Sequence, residues 1–183
     1  MKNKLILSAV IFGLIAVIVL IFLKSYDFPT SIDITKSAVA FVGDSDYPIE
    51  NTTVRIKGVF YRPVFDAHFF EGKIAIEQHE FTDDFENLHV PVIKKRNGVE
   101  MSSLFYTPDE YPFPLLGSAV IYFSDNFESF NIIANGEWVE QPKTTRYYIV
   151  SGESMEDVYK LQKKQAEKWG EELMVAPQFR TKK

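Results

Sequence analysis

Between Leu5 and Leu23 the chain has 19 positions without a charge, and Ser8 is the only polar side chain among them. A helix of that length rises about 28 Å, close to the ~30 Å hydrocarbon core of a bilayer, and satisfies its own backbone hydrogen bonds. The pattern predicts an N-terminal transmembrane helix. A cleaved secretory signal usually has an apolar region of about 7 to 15 residues ending in a small-x-small site. Here the run is longer and is followed by Lys24-Ser25-Tyr26-Asp27-Phe28-Pro29, with no such site, so the segment reads as an uncleaved signal-anchor. Residues 1–24 then form a cytoplasmic tip and anchor, 25–30 a juxtamembrane linker, and 31–183 an extracytoplasmic domain.

Beyond Thr30 the period changes to short apolar runs separated by turn residues, the rhythm of antiparallel strands. The first predicted strand covers Ile32 to Val42 and stops at Gly43-Asp44-Ser45-Asp46-Tyr47-Pro48. In the next, Val54, Ile56 and Phe60 share one face, Gly58 marks a bulge, and the strand ends near Arg62 before Pro63. Phe65 to Glu71 reads as an aromatic connection, and Lys73 to Glu77 as a strand with Ile74 and Ile76 on one side. Leu88 to Lys94 and Val99 to Tyr106 flank Asn97-Gly98, the strongest short-range hairpin signal, while Pro91 predicts an edge position or a bulge. Thr107 to Pro114 holds three prolines and cannot be helical. Leu116 to Phe123 and Phe127 to Ala134 make a second hairpin, Asn135-Gly136 turns into Glu137-Trp138-Val139, and Arg146 to Val150 is the last strand. Ser154 with Asp157 caps a helix to roughly Leu173, with Gly170 as an early stop and a narrow stripe of Met155, Val158, Leu161, Ala166, Trp169 and Leu173. The fold class expected is mainly β, an antiparallel β-sandwich or partly open barrel with one C-terminal α-helix, preceded by the transmembrane helix.

Composition narrows the chemistry. With 46% apolar and 25% charged side chains the chain is globular, and its lack of cysteine excludes disulfides, cysteine-ligated metals, a thiol nucleophile and a lipidated cysteine. Lys2 and Lys4 keep the amino terminus cytoplasmic. Removing them and Lys24 from the 20 basic residues leaves 17 against 25 acidic ones, a formal charge of −8 on the remainder. Such a charge repels nucleic acid and anionic lipid and favours cationic partners or simple solubility. No glycine-rich phosphate loop is present, so no nucleotide is expected. Asn51-Thr52-Thr53 matches a glycosylation sequon, which has meaning only in a eukaryotic secretory pathway.

Several groupings could carry chemistry. His68, His79 and His89 are the three histidines, and three imidazoles can bind zinc, although no signature fixes them on one face. The competing reading is three partly exposed polar side chains. Asp83, Asp84, Glu86 and Asn87, and the smaller pair Asp44 and Asp46, offer oxygen ligands to calcium but lack the EF-hand spacing, so a solvated acidic loop competes. Glu77 with Glu80, or Asp83 with Glu86, are candidate paired carboxylates for glycoside hydrolysis, which needs a defined separation. Ser154 lacks the second glycine of a nucleophile elbow and serves better as a helix cap. No catalytic, metal or cofactor residue is therefore assigned. Aromatics are abundant, with 16 Phe, 9 Tyr and 2 Trp. Most belong in a core, whereas Tyr106, Tyr111 and Phe113 around the prolines either form a recognition surface or pack on their own sheet.

Gly58-Val59-Phe60-Tyr61-Arg62-Pro63-Val64-Phe65, followed by Phe70-Glu71-Gly72-Lys73-Ile74-Ala75-Ile76-Glu77 and Phe81-Thr82, resembles a pattern in uncharacterised signal-anchored exported proteins of spore-forming Gram-positive bacteria. The resemblance implies location and no activity. The expected function is that of a single-pass, membrane-anchored module outside the plasma membrane, held by residues 5–23 and acting by binding or assembly on an envelope protein partner. The alternative is a cell-envelope hydrolase using carboxylates or a histidine-bound metal.

Overall fold

A computed structural model describes residues 2–43, 50–107 and 115–170, with side chains described from residue 10 onward. Helix α1 (Lys2–Ser25) leads into eight strands: β1 (Thr30–Val42), β2 (Glu50–Tyr61), β3 (Phe69–Ile76), β4 (Leu88–Arg96), β5 (Val99–Tyr106), β6 (Gly117–Phe123), β7 (Phe130–Asn135) and β8 (Arg146–Ser151). Helix α2 (Met155–Trp169) follows. Every strand pairs antiparallel with its sequence neighbours, and β1 also pairs with β8, from Ala38↔Ser151 to Val42↔Tyr147.

That last pairing corrects the expected sandwich or partly open barrel: the sheet is a closed barrel. Alternation along a strand is the same in all three architectures, so it could not choose between them. The choice is made by β1, whose 13 residues are long enough to pair β2 over Thr30–Ala40 and β8 over Ala38–Val42. Closure leaves no edge strand among the described strands. Inward positions fill the interior with Val54, Ile56, Phe60, Phe70, Ile74, Leu104, Tyr106, Ile121, Phe123, Ile132 and Ile149.

The expectation of a transmembrane helix is also corrected. Among the described residues no helix is long and apolar enough to cross a membrane. From Val10 to Phe22 the large apolar side chains are about half exposed or more, and they are not sorted to one side of the helix.

Three local readings change as well. Gly58 is not a bulge: it pairs in register with Gly72, whose strand β3 begins at Phe69, so the aromatic connection is shorter than expected. Pro91 is not on an edge. It faces Phe69 across the β3–β4 ladder, one residue before the register shift between Val92 and Lys94, so the bulge expectation holds. The Asn97-Gly98 hairpin forms as expected, with Arg96 opposite Val99 and both turn residues at positive φ.

Helix α2 starts where predicted. Ser154 Oγ accepts from the Asp157 amide at 3.3 Å and donates to its carboxylate at 2.7 Å, and that hydroxyl holds the Asp157 carboxyl below its usual range. It stops at Trp169, where Asn97 donates to the Lys168 carbonyl at 2.7 Å and Arg96 donates to that of Trp169. The helix lies on the outer face of the barrel. Val158 packs on Val39, Phe41, Tyr148 and Val150, and Trp169 on Val99. Met155 and Leu161 pack beside Val158 as expected, and Gln162 and Gln165 are buried with them, outside the expected stripe. Leu173, the last member of the expected stripe, lies outside the described residues.

Candidate functional site

The barrel has two ends. At the root end α1 enters through Thr30, opposite Phe60, and the interior is plugged by the rings of Phe60, Phe123 and Phe127. At the far end β3 finishes, β6 begins and β7 finishes. A cleft of about 590 Å³ opens there, lined by Glu77 to Phe81, by Leu115 to Ser118, and by Asn135, Glu137, Trp138 and Glu140.

Its floor is an aromatic box. After Ile76 the chain makes a tight turn into the 3-10 segment Glu80–Asp84, fixed by Thr82, whose hydroxyl accepts from the Ile76 amide at 2.8 Å and donates to the His79 carbonyl at 2.7 Å. This turn drives His79 and Phe81 inward. From the other side, Asn135 caps the 3-10 turn Gly136–Val139, accepting from the Glu137 amide, and so places Trp138. The Trp138 ring meets His79 at 5.0 Å, Phe81 at 5.2 Å and Tyr106 at 5.8 Å, all edge-on. Such ring packing adds about 0.5–1.5 kcal/mol per pair beyond area burial. The Trp138 indole nitrogen is buried with no hydrogen-bond partner among the described residues. Tyr106 hangs from the Ile74 carbonyl by a 2.9 Å bond, and burial holds its phenol protonated far above the usual range.

The rim is acidic. Glu77, Glu80, Glu137 and Glu140 line the cleft and are exposed. Glu137 is engaged by Lys143 at 2.9 Å and by Asn135 at 3.0 Å, whereas Glu77, Glu80 and Glu140 have no cationic partner among the described residues. The candidate carboxylates Glu77 and Glu80 are thus brought to one cleft, and Tyr106 is buried against Phe81 and Trp138 rather than on a surface.

The other sequence candidates disperse. His79 sits in the far-end box with its Nε2 3.2 Å from the Tyr147 hydroxyl. His68 is at the root end, 3.0 Å from Glu100, and His89 is exposed beside Glu71 at 3.4 Å. No group of three or more histidine and acidic side chains able to hold a metal ion occurs among the described residues. Asp83 and Glu86 fold onto Lys73 at 3.2 and 2.8 Å, and the Glu86 bond is the main cause of a raised Lys73 pKa. Asp44, Asp46, Tyr111 and Phe113 lie outside the described residues.

Sequence reasoning missed Glu100 and Trp138. Glu100 is 1% exposed, points into the barrel from β5, and shares one carboxylate oxygen between Lys95 at 2.8 Å and His68 at 3.0 Å. Its place in the alternation Glu100, Ser102, Leu104, Tyr106 was a legible signal of inward direction.

His79 gives the cleft a pH signature. Burial pushes its pKa down from 6.5 to about 4. Between those values the unfolded chain binds a proton that the folded chain refuses, so stability is complete above about pH 6.5 and falls toward pH 4. The full difference is about 3 kcal/mol. Urea midpoints measured from pH 7 to pH 4 are expected to slope downward, and His79→Gln is expected to flatten that part of the slope. An unchanged slope in the variant assigns the acid sensitivity to other groups.

Comparison with protein-family models, with curated proteins and with solved structures returns no match to this chain. The stretch that carries the resemblance noted from the sequence forms the last third of β2, the start of the loop that follows, β3 from Phe70 onward and part of the Glu80–Asp84 turn.

Proposed function

We propose that the protein is a non-enzymatic binding module of the cell envelope, held at a membrane by residues 5–23, and that its far-end cleft receives a basic segment of a partner protein. The observation that carries this reading is the pairing of an acidic rim with an aromatic floor in one cleft. A lysine or arginine side chain presents a charged head on an apolar stem. The head suits Glu77, Glu80 and Glu140, and the stem suits Phe81, Leu115 and Leu116. Aromatic edges and faces at the base add cation–π attraction of about 0.5–2 kcal/mol where a cation reaches a ring face. The formal charge of −8 on residues 25–183 steers such a partner from a distance.

The test is calorimetric titration with lysine- and arginine-rich peptides at low and high salt. Binding is expected to weaken with salt, and the double substitution Glu77→Gln, Glu80→Gln is expected to weaken it by about tenfold. The indole N–H resonance of Trp138 is expected to shift on binding. Binding that is unaffected by both the double substitution and salt, or the absence of binding to any basic peptide, would overturn the proposal.

A further inference from the structure

We infer that the basic partner segment proposed above binds in extended form, as an added strand along the first half of β1 that leads into the far-end cleft. This inference rests on the reading of the cleft given above and names how its partner is held.

The edge comes from unequal strand lengths. β2 covers β1 from Thr30 to Ala40, whereas β8 covers it only from Ala38 to Val42. In an antiparallel ladder successive residues aim their backbone groups at opposite neighbours. The Gly152 amide donates to the Ser37 carbonyl at 3.0 Å, so the odd-numbered residues of β1 aim toward the β8 side and the even-numbered ones toward β2. Ser31, Asp33 and Thr35 lie beyond the end of β8, which stops at Ser151, and among the described residues no backbone hydrogen bond reaches their N–H and C=O groups. All three residues are exposed. Such an edge is a template for another strand.

The edge opens on a trough that continues to the cleft. A depression of about 450 Å³ is lined by Thr35 and Lys36 of β1, by Glu128 and Ser129, and by Leu161 of α2. A second, of about 220 Å³, shares Ser37, Gly152 and Glu153 with the first and Glu77 with the cleft. Asp33, Glu77, Glu128 and Glu153 are exposed along this track and have no cationic partner among the described residues, where Lys36 is the one cation lining it. Charge therefore selects a basic strand over a second copy. A lysine or arginine opposite Asp33 is favourable, whereas two copies aligned on Asp33 set carboxylates face to face.

The probe is a peptide of about twelve alternating lysine and threonine residues, about 40 Å when extended, together with a copy methylated at every backbone nitrogen, which keeps the charge and cannot donate to a ladder. Bound to the full-length protein, the first peptide is expected to slow amide exchange at Asp33 and Thr35 by about tenfold or more, while Ile32 and Ile34, already bonded to β2, stay unchanged. It is expected to bind about tenfold more tightly than the methylated copy, and Thr35→Pro, which removes a donor the barrel does not use, is expected to abolish that advantage. Asp33→Pro repeats the reading should Thr35→Pro fail to fold. Equal binding of the two peptides overturns the added strand and leaves the cleft standing. So does protection of Asp33 and Thr35 without peptide, whether constant or rising with protein concentration. An advantage that survives the double substitution Glu77→Gln, Glu80→Gln at unchanged affinity keeps the strand and removes the cleft as its continuation. Absence of binding by either peptide removes the reading of the cleft, and the strand with it.

Discussion

Phe127→Ala is expected to lower the unfolding free energy by about 3–5 kcal/mol, read as a fall in the urea midpoint with little change in slope. The ring is fully buried. It stacks on Phe123 at 4.3 Å and meets Phe70 and Phe60 edge-on at 5.2 and 6.1 Å, closing the root end of the barrel. It does so from a turn rather than a strand. Asn126 and Phe127 both take positive φ, 53° and 59°, a conformation that costs of order 1–2 kcal/mol for each L-residue. Burial of the ring holds the turn in that state. Alanine gives up the burial and keeps the strained backbone, whereas Phe127→Leu retains much of the packing and is expected to cost about half as much. A loss under about 1 kcal/mol for alanine would place the ring outside the barrel.

Gly58→Ala is the second large effect, about 1–3 kcal/mol or more. Gly58 and Gly72 face each other across β2 and β3, with the ring of Phe70 folded over both. A Cβ on Gly58 would stand 2.2 Å from the Glu71 carbonyl oxygen and 2.8 Å from both Gly72 Cα and the Phe70 ring. Two of these neighbours are backbone and cannot step aside, so the ladder has to part. Gly98→Ala is the useful comparison. Its Cβ would meet nothing within 4 Å, and only its φ of +79° resists substitution, at about 1 kcal/mol. Equal losses at the two glycines in denaturation curves would mean that β2 and β3 do not approach this closely.

The two glycines also mark where sequence reading succeeded and where it stopped. Alternation found all eight strands and the Asn97-Gly98 turn, because period and turn chemistry are local. Gly58 was misread as a bulge since a close approach between strands looks the same, in one strand, as a ladder irregularity. Barrel closure was not legible, because it depends on Ala38 to Val42 meeting Tyr147 to Ser151, and no local pattern encodes that pairing. The apolar stripe of α2 faces the barrel as expected, yet Gln162 and Gln165 are buried beside it, an outcome set by the shape of the barrel wall rather than by helix periodicity. For the cleft, Glu77 and Glu80 are legible as a pair, and His79 only in a separate grouping with the other histidines. Trp138 joins them through a turn some 60 residues further on, which only the closed sheet brings to the same end.

The seam between β1 and β8 has a kinetic consequence. About a hundred residues separate its two sides, so most of the chain must be synthesised before the first strand of the barrel finds its last neighbour. Until then β1 pairs on one side only, with Val39 and Phe41 awaiting both β8 and α2. A ribosome-bound intermediate therefore carries an open, apolar strand, and escape from aggregation depends on how soon the C-terminal third arrives.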